Sequence, residues 1–415
     1  MDHMYMTTLS VSVVLISIIW YIKTLLKPRG KSSPPLPPGP RGLPILGYLP
    51  FIGNNLLHQF TYLGHKYGPI YKLYLGNKLY IVISSPSLVK EVVRDQDSVF
   101  ANRDTPVAAL VATYGGNDIA WSPQNSQWRE MRKLFVQEML SNKSLKESYS
   151  LRRDEVRKTI KHAHTNMGKP VEIGELSFRT ELNVIMNMLW GGIIEGEEGK
   201  LIGAEFRDIV AGGTDTTATT VEWAMAELMN NPDAMDKAQK ELSDVVRLDN
   251  IIEESHIPNL KYLAAVIKET LRLHPALPLL LPRSPSQSST IGGYIIPKNT
   301  QVFINVWSIH RDPSVWDNPN EFKPERFLDD NGKWDFRGNY FHYLPFGSGR
   351  RVCGGVPLAE RMLIYLVASL VHSFEWKLPT EGEALDMSET FGIVLRKTKP
   401  LFIIPTARLP DNLYV

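Results

Sequence analysis

The sequence predicts a mainly α fold with minor β, carried behind a single N-terminal transmembrane helix. Three observations lead there. Apolar residues recur at helical spacing over Leu56 to Tyr67, Leu260 to Leu273 and Leu358 to Phe374. Runs with β character are few and short. Residues 4–22, a stretch of 19, hold no charged side chain, about the length that spans a bilayer core as a helix.

The uncharged stretch is followed by Lys23, Lys27, Arg29 and Lys31 and preceded only by Asp2. The positive-inside rule then puts the C-terminal side in the cytosol. A cleaved secretory signal would carry its charge on the other flank and end at an Ala-x-Ala-like site, and neither is present. Residues 1–26 therefore read as a retained anchor. Residues 27–50 read as a basic, proline-rich hinge, with Pro34-Pro-Leu-Pro-Pro-Gly-Pro40 as an extended, semi-rigid spacer. The other use of such a run is an SH3-type ligand, but its place behind an anchor favours the spacer. Residues 51–415 form the main domain.

In that domain Ile70 to Leu75 and Leu79 to Ser84, around Gly76-Asn77, predict a β-hairpin. Pro86 opens a helix ending near Arg94, and helices follow from Trp128 to Leu140 and over Leu151 to His164. Leu182 to Trp190 is apolar and reads as buried. Most of Ala224 to Val246 is helical, Gly293 to Pro297 and Gln301 to Asn305 are short strands, and Gly392 to Leu395 and Leu401 to Ile404 are strand-like near the end. A chain of 47.0 kDa with 43% hydrophobic residues can bury a large core. Net charge of +2 gives no reason to expect nucleic acid. No histidine stands at zinc-site spacing from a cysteine.

The chemistry starts at the one cysteine, Cys353, within Phe346-Gly-Ser-Gly-Arg-Arg-Val-Cys353-Gly-Gly355. A lone cysteine forms no disulfide, so it is an inert buried residue, a nucleophile or a metal ligand. Glycines at 347, 349, 354 and 355 let the backbone approach a flat ligand. Arg350 and Arg351 favour the thiolate, and Phe346 can lie under a flat ring. Four further segments stand out. Ala211-Gly-Gly-Thr-Asp215-Thr216-Thr-Ala-Thr-Thr220 is a helix weakened at one place, where hydroxyls can enter the hydrogen-bond ladder. An acid beside a hydroxyl there makes a proton-delivery pair, while an ordinary N-cap cluster is the plainer alternative. Glu269 and Arg272 share a helix face. Phe322-Lys-Pro-Glu-Arg326-Phe327 is weak alone. Trp128 and Arg132, one turn apart, are both donors that can point at one anion.

Together, and in this order, these motifs resemble the cytochrome P450 family, in the style of plant microsomal members of specialised metabolism. The resemblance covers almost the whole chain. It implies a cytochrome P450 fold holding haem b, with Cys353 as axial thiolate to the iron and the loop residues Phe346, Gly349, Arg351 and Gly355 around it. It implies that Trp128, Arg132, Arg283 and Arg351 hold the haem propionates. Gly212 and Gly213 make room for dioxygen, and Asp215 and Thr216 relay protons. Glu269, Arg272 and Arg326 form a buried structural network that steadies the cysteine loop. Phe391 to Val394, and Thr105 to Thr113, match loops that touch substrate. The implied activity is a monooxygenase on a small lipophilic secondary metabolite. Its electrons come from NADPH through NADPH–cytochrome P450 reductase, docked near the cysteine face. It works at the endoplasmic reticulum membrane as a single-pass protein facing the cytosol.

One departure stands against this. Only 87 residues separate Trp128 from Asp215 (215 − 128), considerably fewer than is usual in the family. The shortening falls near 207/208, and the piece the family has there roofs the substrate pocket. Its loss removes water exclusion and exposes apolar surface. The competing expectation is therefore a shortened splice or gene-model product that binds haem poorly or without turnover. A third is a haem-thiolate isomerase or dehydratase without a reductase, but such proteins often lack the acid–threonine pair.

Overall fold

A computed structural model describes residues 5–6, 11–13, 15–16, 18–19, 34–53, 55–113, 115–116, 118–191, 207–328, 332–380, 382 and 384–414. Most of the expected anchor, the hinge before residue 34 and the expected shortening at its 206 side lie outside them.

Helix α1 (Leu56–Tyr67) is capped by the Asn55 side chain, which accepts from the His58 N–H. It buries Leu57, Phe60 and Leu63. β1 (Ile70–Leu75) and β2 (Lys78–Ile83) form the expected hairpin, with Gly76 at φ +60° in its turn. α2 (Ser126–Leu134), α3 (Tyr149–Thr165) and β3 (Val171–Glu172) lead to α4 (Ile173–Trp190). The first half of α4 carries buried Ser177, Thr180 and Glu181, which hides its apolar period from a sequence reading. α5 (Arg207–Asn230) is followed after one residue by α6 (Pro232–Val246). Sequence periodicity ran these two together, but Pro232 has no N–H to continue a helix and opens a new one. α7 (Lys261–Leu273), β4 (Ser289–Ile291), β5 (Tyr294–Ile296), β6 (Gln301–Ile304), α8 (Val356–Ser373) and β7 (Phe374–Lys377) follow. The chain closes with β8 (Glu389–Phe391), β9 (Leu395–Lys397) and β10 (Phe402–Ala407). The strand expected over Gly392 to Leu395 is corrected: Gly392 to Val394 bend between β8 and β9, and only Leu395 is in the ladder.

β2 joins β1 antiparallel and β6 parallel, β10 lies between β3 and β7, and two hairpins, β4–β5 and β8–β9, stand apart. The main core lies among α3 to α8 and includes Trp223, Leu263, Leu366 and Phe374. Among the described residues one helix is long and apolar enough to cross a membrane, α8, and two thirds of it is buried inside the protein. Residues 34–50, read above as hinge, run along the domain: Pro38 O accepts from Lys72 N at 2.8 Å and Pro35 O from Ile295 N at 3.0 Å. A Cβ on Gly39 would lie 1.9 Å from Lys72 O, so the proline run touches β1 too closely for a side chain there.

Candidate haem-thiolate site

The Cys353 loop is closed by its own backbone. Cys353 N donates to Phe346 O at 2.9 Å. Gly349 sits at φ +66°, and a Cβ there would meet Val93 O at 2.3 Å, so the loop is pressed onto the 91–100 segment. Cys353 Sγ accepts from Gly355 N at 3.3 Å, and the residue is exposed. Although the residue as a whole is exposed, its sulfur lies among protein atoms, and that burial raises the thiol on balance against the Gly355 and Val356 N–H groups and the Arg132 charge, which pull it down. The cation beside the sulfur is therefore Arg132 rather than Arg350 or Arg351. Arg350 pairs with Asp97 at 3.2 Å, and Arg351 donates to the carbonyls of Ala101, Ile119 and Ser122. Phe346 meets Phe336 edge-on at 5.1 Å.

Beside the loop four arginines converge. Arg283 donates to Ser348 O and pairs with Asp97 at 3.3 Å. Arg132 donates to Val352 O. Arg351 lies 4.0 Å above the Trp128 ring and Arg132 5.8 Å from it. Trp128 Nε1 donates to Ile119 O at 2.9 Å, so here the indole steadies guanidinium groups rather than facing an anion. Sequence reasoning missed the fourth, Arg103, which donates to the carbonyls of Ala120, Leu281 and Pro282. Burial lowers all four, Arg351 to about 10, and Arg103 is lowered further by the charges of Arg351 and Arg283. Asp97 and Asp118 are the carboxylates acting on this group. Four guanidinium groups against two carboxylates leave a surplus suited to a ligand bearing two carboxylates.

On α5 the threonines enter the ladder as expected: Thr214, Thr216 and Thr220 donate to Val210 O, Gly212 O and Thr216 O, each at 2.6–2.7 Å. Asp215 Oδ2 pairs with Arg396 Nη2 at 2.6 Å. Gly212 faces open space, whereas a Cβ on Gly213 would meet Ile185 Cδ1 of α4 at 2.4 Å. Gly213 is thus where α4 and α5 approach each other, and Gly212 is the glycine with open space beside it.

Glu269, Arg272 and Arg326 come together as expected. Glu269 and Arg272 are wholly buried and paired at 2.6 and 2.8 Å, and Arg326 Nε reaches Glu269 at 3.2 Å. Arg272 also donates to the carbonyls of His310, Pro319 and Glu321. His310 Nε2 in turn accepts from Leu344 N at 2.8 Å, just before the cysteine loop.

Residues 37–201 and 199–404 match the sequence model of the family described as Cytochrome P450. Ferruginol synthase of Salvia miltiorrhiza is 34% identical over 469 residues, spanning 90% of this chain and 94% of that protein. Geraniol 8-hydroxylase of Catharanthus roseus is 35% identical over 466 residues, spanning 89% and 94%. An Arabidopsis thaliana protein, Cytochrome P450 76C2, is 34% identical over 491 residues, spanning 94% and 95%. At least 76 positions of that alignment (491 − 415) therefore have no counterpart in this chain. A zebra fish cytochrome P450 structure with abiraterone superposes with a TM-score of 0.74 at 26% identity, over 86% of this chain and 100% of that one. The cofactor of this fold is haem held by a thiolate. The residues fit it: an unpaired thiol in a glycine-lined loop, beside a surplus of buried guanidinium charge.

Proposed function

The chain belongs to the cytochrome P450 family, and from that premise we propose that it is a membrane-anchored monooxygenase of specialised metabolism. It inserts one oxygen atom of dioxygen into a small lipophilic substrate, with electrons from NADPH through a flavoprotein reductase. The observation that carries this is the Cys353 sulfur in its glycine-lined loop beside the arginine group. Ferruginol synthase and geraniol 8-hydroxylase among the relatives support a terpenoid-like substrate class.

Cys353 would hold the haem iron through its thiolate, which the Gly355 N–H orients. Arg132, Arg283, Arg351 and Arg103 would hold its propionates, with Trp128 stacked under Arg132 and Arg351. A thiolate-bound haem supplies the oxygen-activating chemistry when present. Gly212 leaves open space on α5, Thr216 Oγ1 is a hydroxyl that can pass a proton, and Asp215 is the acid that feeds it from solvent. Glu269, Arg272 and Arg326 hold the loop and touch no reactant. The anchor places this domain on the cytosolic face of the endoplasmic reticulum. Arg350, half exposed at the cysteine face, is a contact for the reductase.

A second reading has a specific observation behind it. The two family-matched stretches meet at 199–201, and Val107, Val111 and Ile393 are more than 70% exposed. Large apolar side chains so exposed are what a lost roof leaves behind. On that reading the chain holds haem but binds substrate poorly. Titration of the haem-loaded chain with monoterpenols and abietane diterpenes, read as the type-I spectral shift, separates the two. Tight, saturable shifts followed by reductase-dependent product support the monooxygenase, and no shift across such substrates supports the inactive form.

A further inference from the structure

The residues just before α2 turn around Asp118. Asp118 Oδ1 accepts from Trp121 N and, at 3.2 Å, from Ser122 N, while Asp118 N donates to Ser122 Oγ at 2.9 Å. A carboxylate that takes the N–H groups three and four residues on fixes the backbone between them. Each of the four carbonyls that follow accepts from a side chain. Ile119 O accepts from Trp128 Nε1 at 2.9 Å and from Arg351 Nη1 at 3.3 Å, and Ala120 O from Arg103 Nε at 3.1 Å. Trp121 O accepts from Thr105 Oγ1 at 2.9 Å and Ser122 O from Arg351 Nη2 at 2.6 Å. One turn thus fastens two of the four converging arginines and the indole of Trp128.

Asp118 is 6% exposed, and its Oδ2 has no hydrogen-bond partner. Asp97, the other carboxylate of the group, is taken up by Arg283 at 3.3 Å and by Arg350 through Nε at 3.2 Å and N at 3.0 Å. Asp118 is left as the negative charge acting on Arg103 and, together with Asp97, on Arg351. It acts across space, since its Oδ1 is held by the turn and its Oδ2 by nothing. Resting on the haem-binding reading of this site, we propose that Asp118 is a positioning residue for haem with two separable effects. Through Oδ1 it holds the turn to which Arg103, Arg351 and Trp128 are fastened. Through its charge it limits the positive surplus beside the haem. Haem is then held less tightly, and its iron reduced at a lower potential, than four guanidinium groups against Asp97 alone would give. The sign follows from charge: a carboxylate there repels the two propionates and disfavours the added electron.

The test uses the full, haem-loaded chain with Asp118→Asn and Asp118→Ala. The first keeps an oxygen for the turn and removes the charge; the second removes both. Three quantities are read: the rate of haem transfer to apomyoglobin, the reduction potential of the bound iron, and hydrogen exchange of the 118–122 amides. In Asp118→Asn haem transfer is expected to slow about fivefold and the reduction equilibrium to move about fivefold toward the reduced form, the size of a unit charge at about 15 Å and an effective dielectric of about 20. At about 59 mV per tenfold, that is a rise of about 40 mV. Exchange in Asp118→Asn stays at the parent rate. In Asp118→Ala exchange quickens about two- to thirtyfold, the range for loss of a side-chain cap, and haem leaves faster than from Asp118→Asn. An unchanged potential in Asp118→Asn, or haem transfer from it faster than from the parent, makes the residue merely structural and overturns the proposal. Equal exchange in the parent and Asp118→Ala overturns it too, because the turn then stands without Asp118. If Asp118→Ala does not fold, Asp118→Asn decides by potential and transfer. A parent that takes up no haem defeats the haem reading by itself, and exchange in the unloaded variants then decides the hold of Asp118 on the turn.

Discussion

Replacing Glu269 by Gln keeps the shape of the side chain and removes one charge. Glu269 and Arg272 are both wholly buried, and Glu269 accepts from Arg272 Nε and Nη2, Arg326 Nε and Lys323 N at 2.6, 2.8, 3.2 and 2.9 Å. The carboxylate thus answers two guanidinium groups. Arg272 cannot swing to water, because its remaining donors are spent on the carbonyls of His310, Pro319 and Glu321. Removing one partner of a buried pair leaves an uncompensated charge and costs about 3–5 kcal/mol. That is a large share of a total of about 5–15 kcal/mol. Urea unfolding followed by tryptophan fluorescence, with haem retention read in parallel, measures it. The expected result is a lowered midpoint with an unchanged slope and loss of haem at lower urea than in the parent. A loss below about 1 kcal/mol in Glu269→Gln would refute the reasoning, because values that small belong to solvated pairs.

Three further outcomes are expected. Gly349→Ala, at φ +66° with Val93 O 2.3 Å from the new Cβ, should lower stability by about 1–3 kcal/mol through strain and cut haem content, read by pyridine haemochrome. Gly213→Ala should cost about 1–3 kcal/mol by overpacking on Ile185, while Gly212→Ala, with no neighbour, should be neutral or gain up to about 1 kcal/mol in helix propensity. Thermal melts of the two compare them. His310 is pushed down to about 3, first by burial and then by the charges of Arg272 and Arg311. The unfolded chain therefore binds a proton the folded one refuses between pH 6.5 and about 3, so stability falls as pH drops through that window, by up to about 1.4 kcal/mol per unit. His310→Gln should flatten that slope in acid unfolding curves even though it weakens the link to Leu344.

The parts legible in the sequence are those where one local pattern fixes the outcome. α1, the β1–β2 hairpin and α7 follow from helical spacing or from a Gly76-Asn77 turn, and all appear close to the expected bounds. Glu269, Arg272 and Arg326 are separated in sequence, yet matching motifs place them together, and the structure pairs them. What was not legible depends on long-range packing. Arg103 lies in no periodic pattern and joins the cysteine side only because it reaches the carbonyls of Leu281 and Pro282. Nothing around Gly213 announces Ile185, which comes from another helix. The Trp128 N–H looked free to face an anion because its partner, Ile119 O, is a backbone atom that no motif encodes. The pairing of Asp215 with Arg396 joins residues 181 apart, beyond any local rule.

The central claim is that Cys353 binds haem iron as a thiolate in this shortened chain. The carbon monoxide difference spectrum of the reduced, recombinant full chain in membranes tests it most directly, with Cys353→Ser beside it. The account predicts a strongly red-shifted Soret band in the parent that is absent in Cys353→Ser. Absence of that band in the parent, or only the band of the neutral-thiol form, would contradict it and leave the non-enzyme reading in its place.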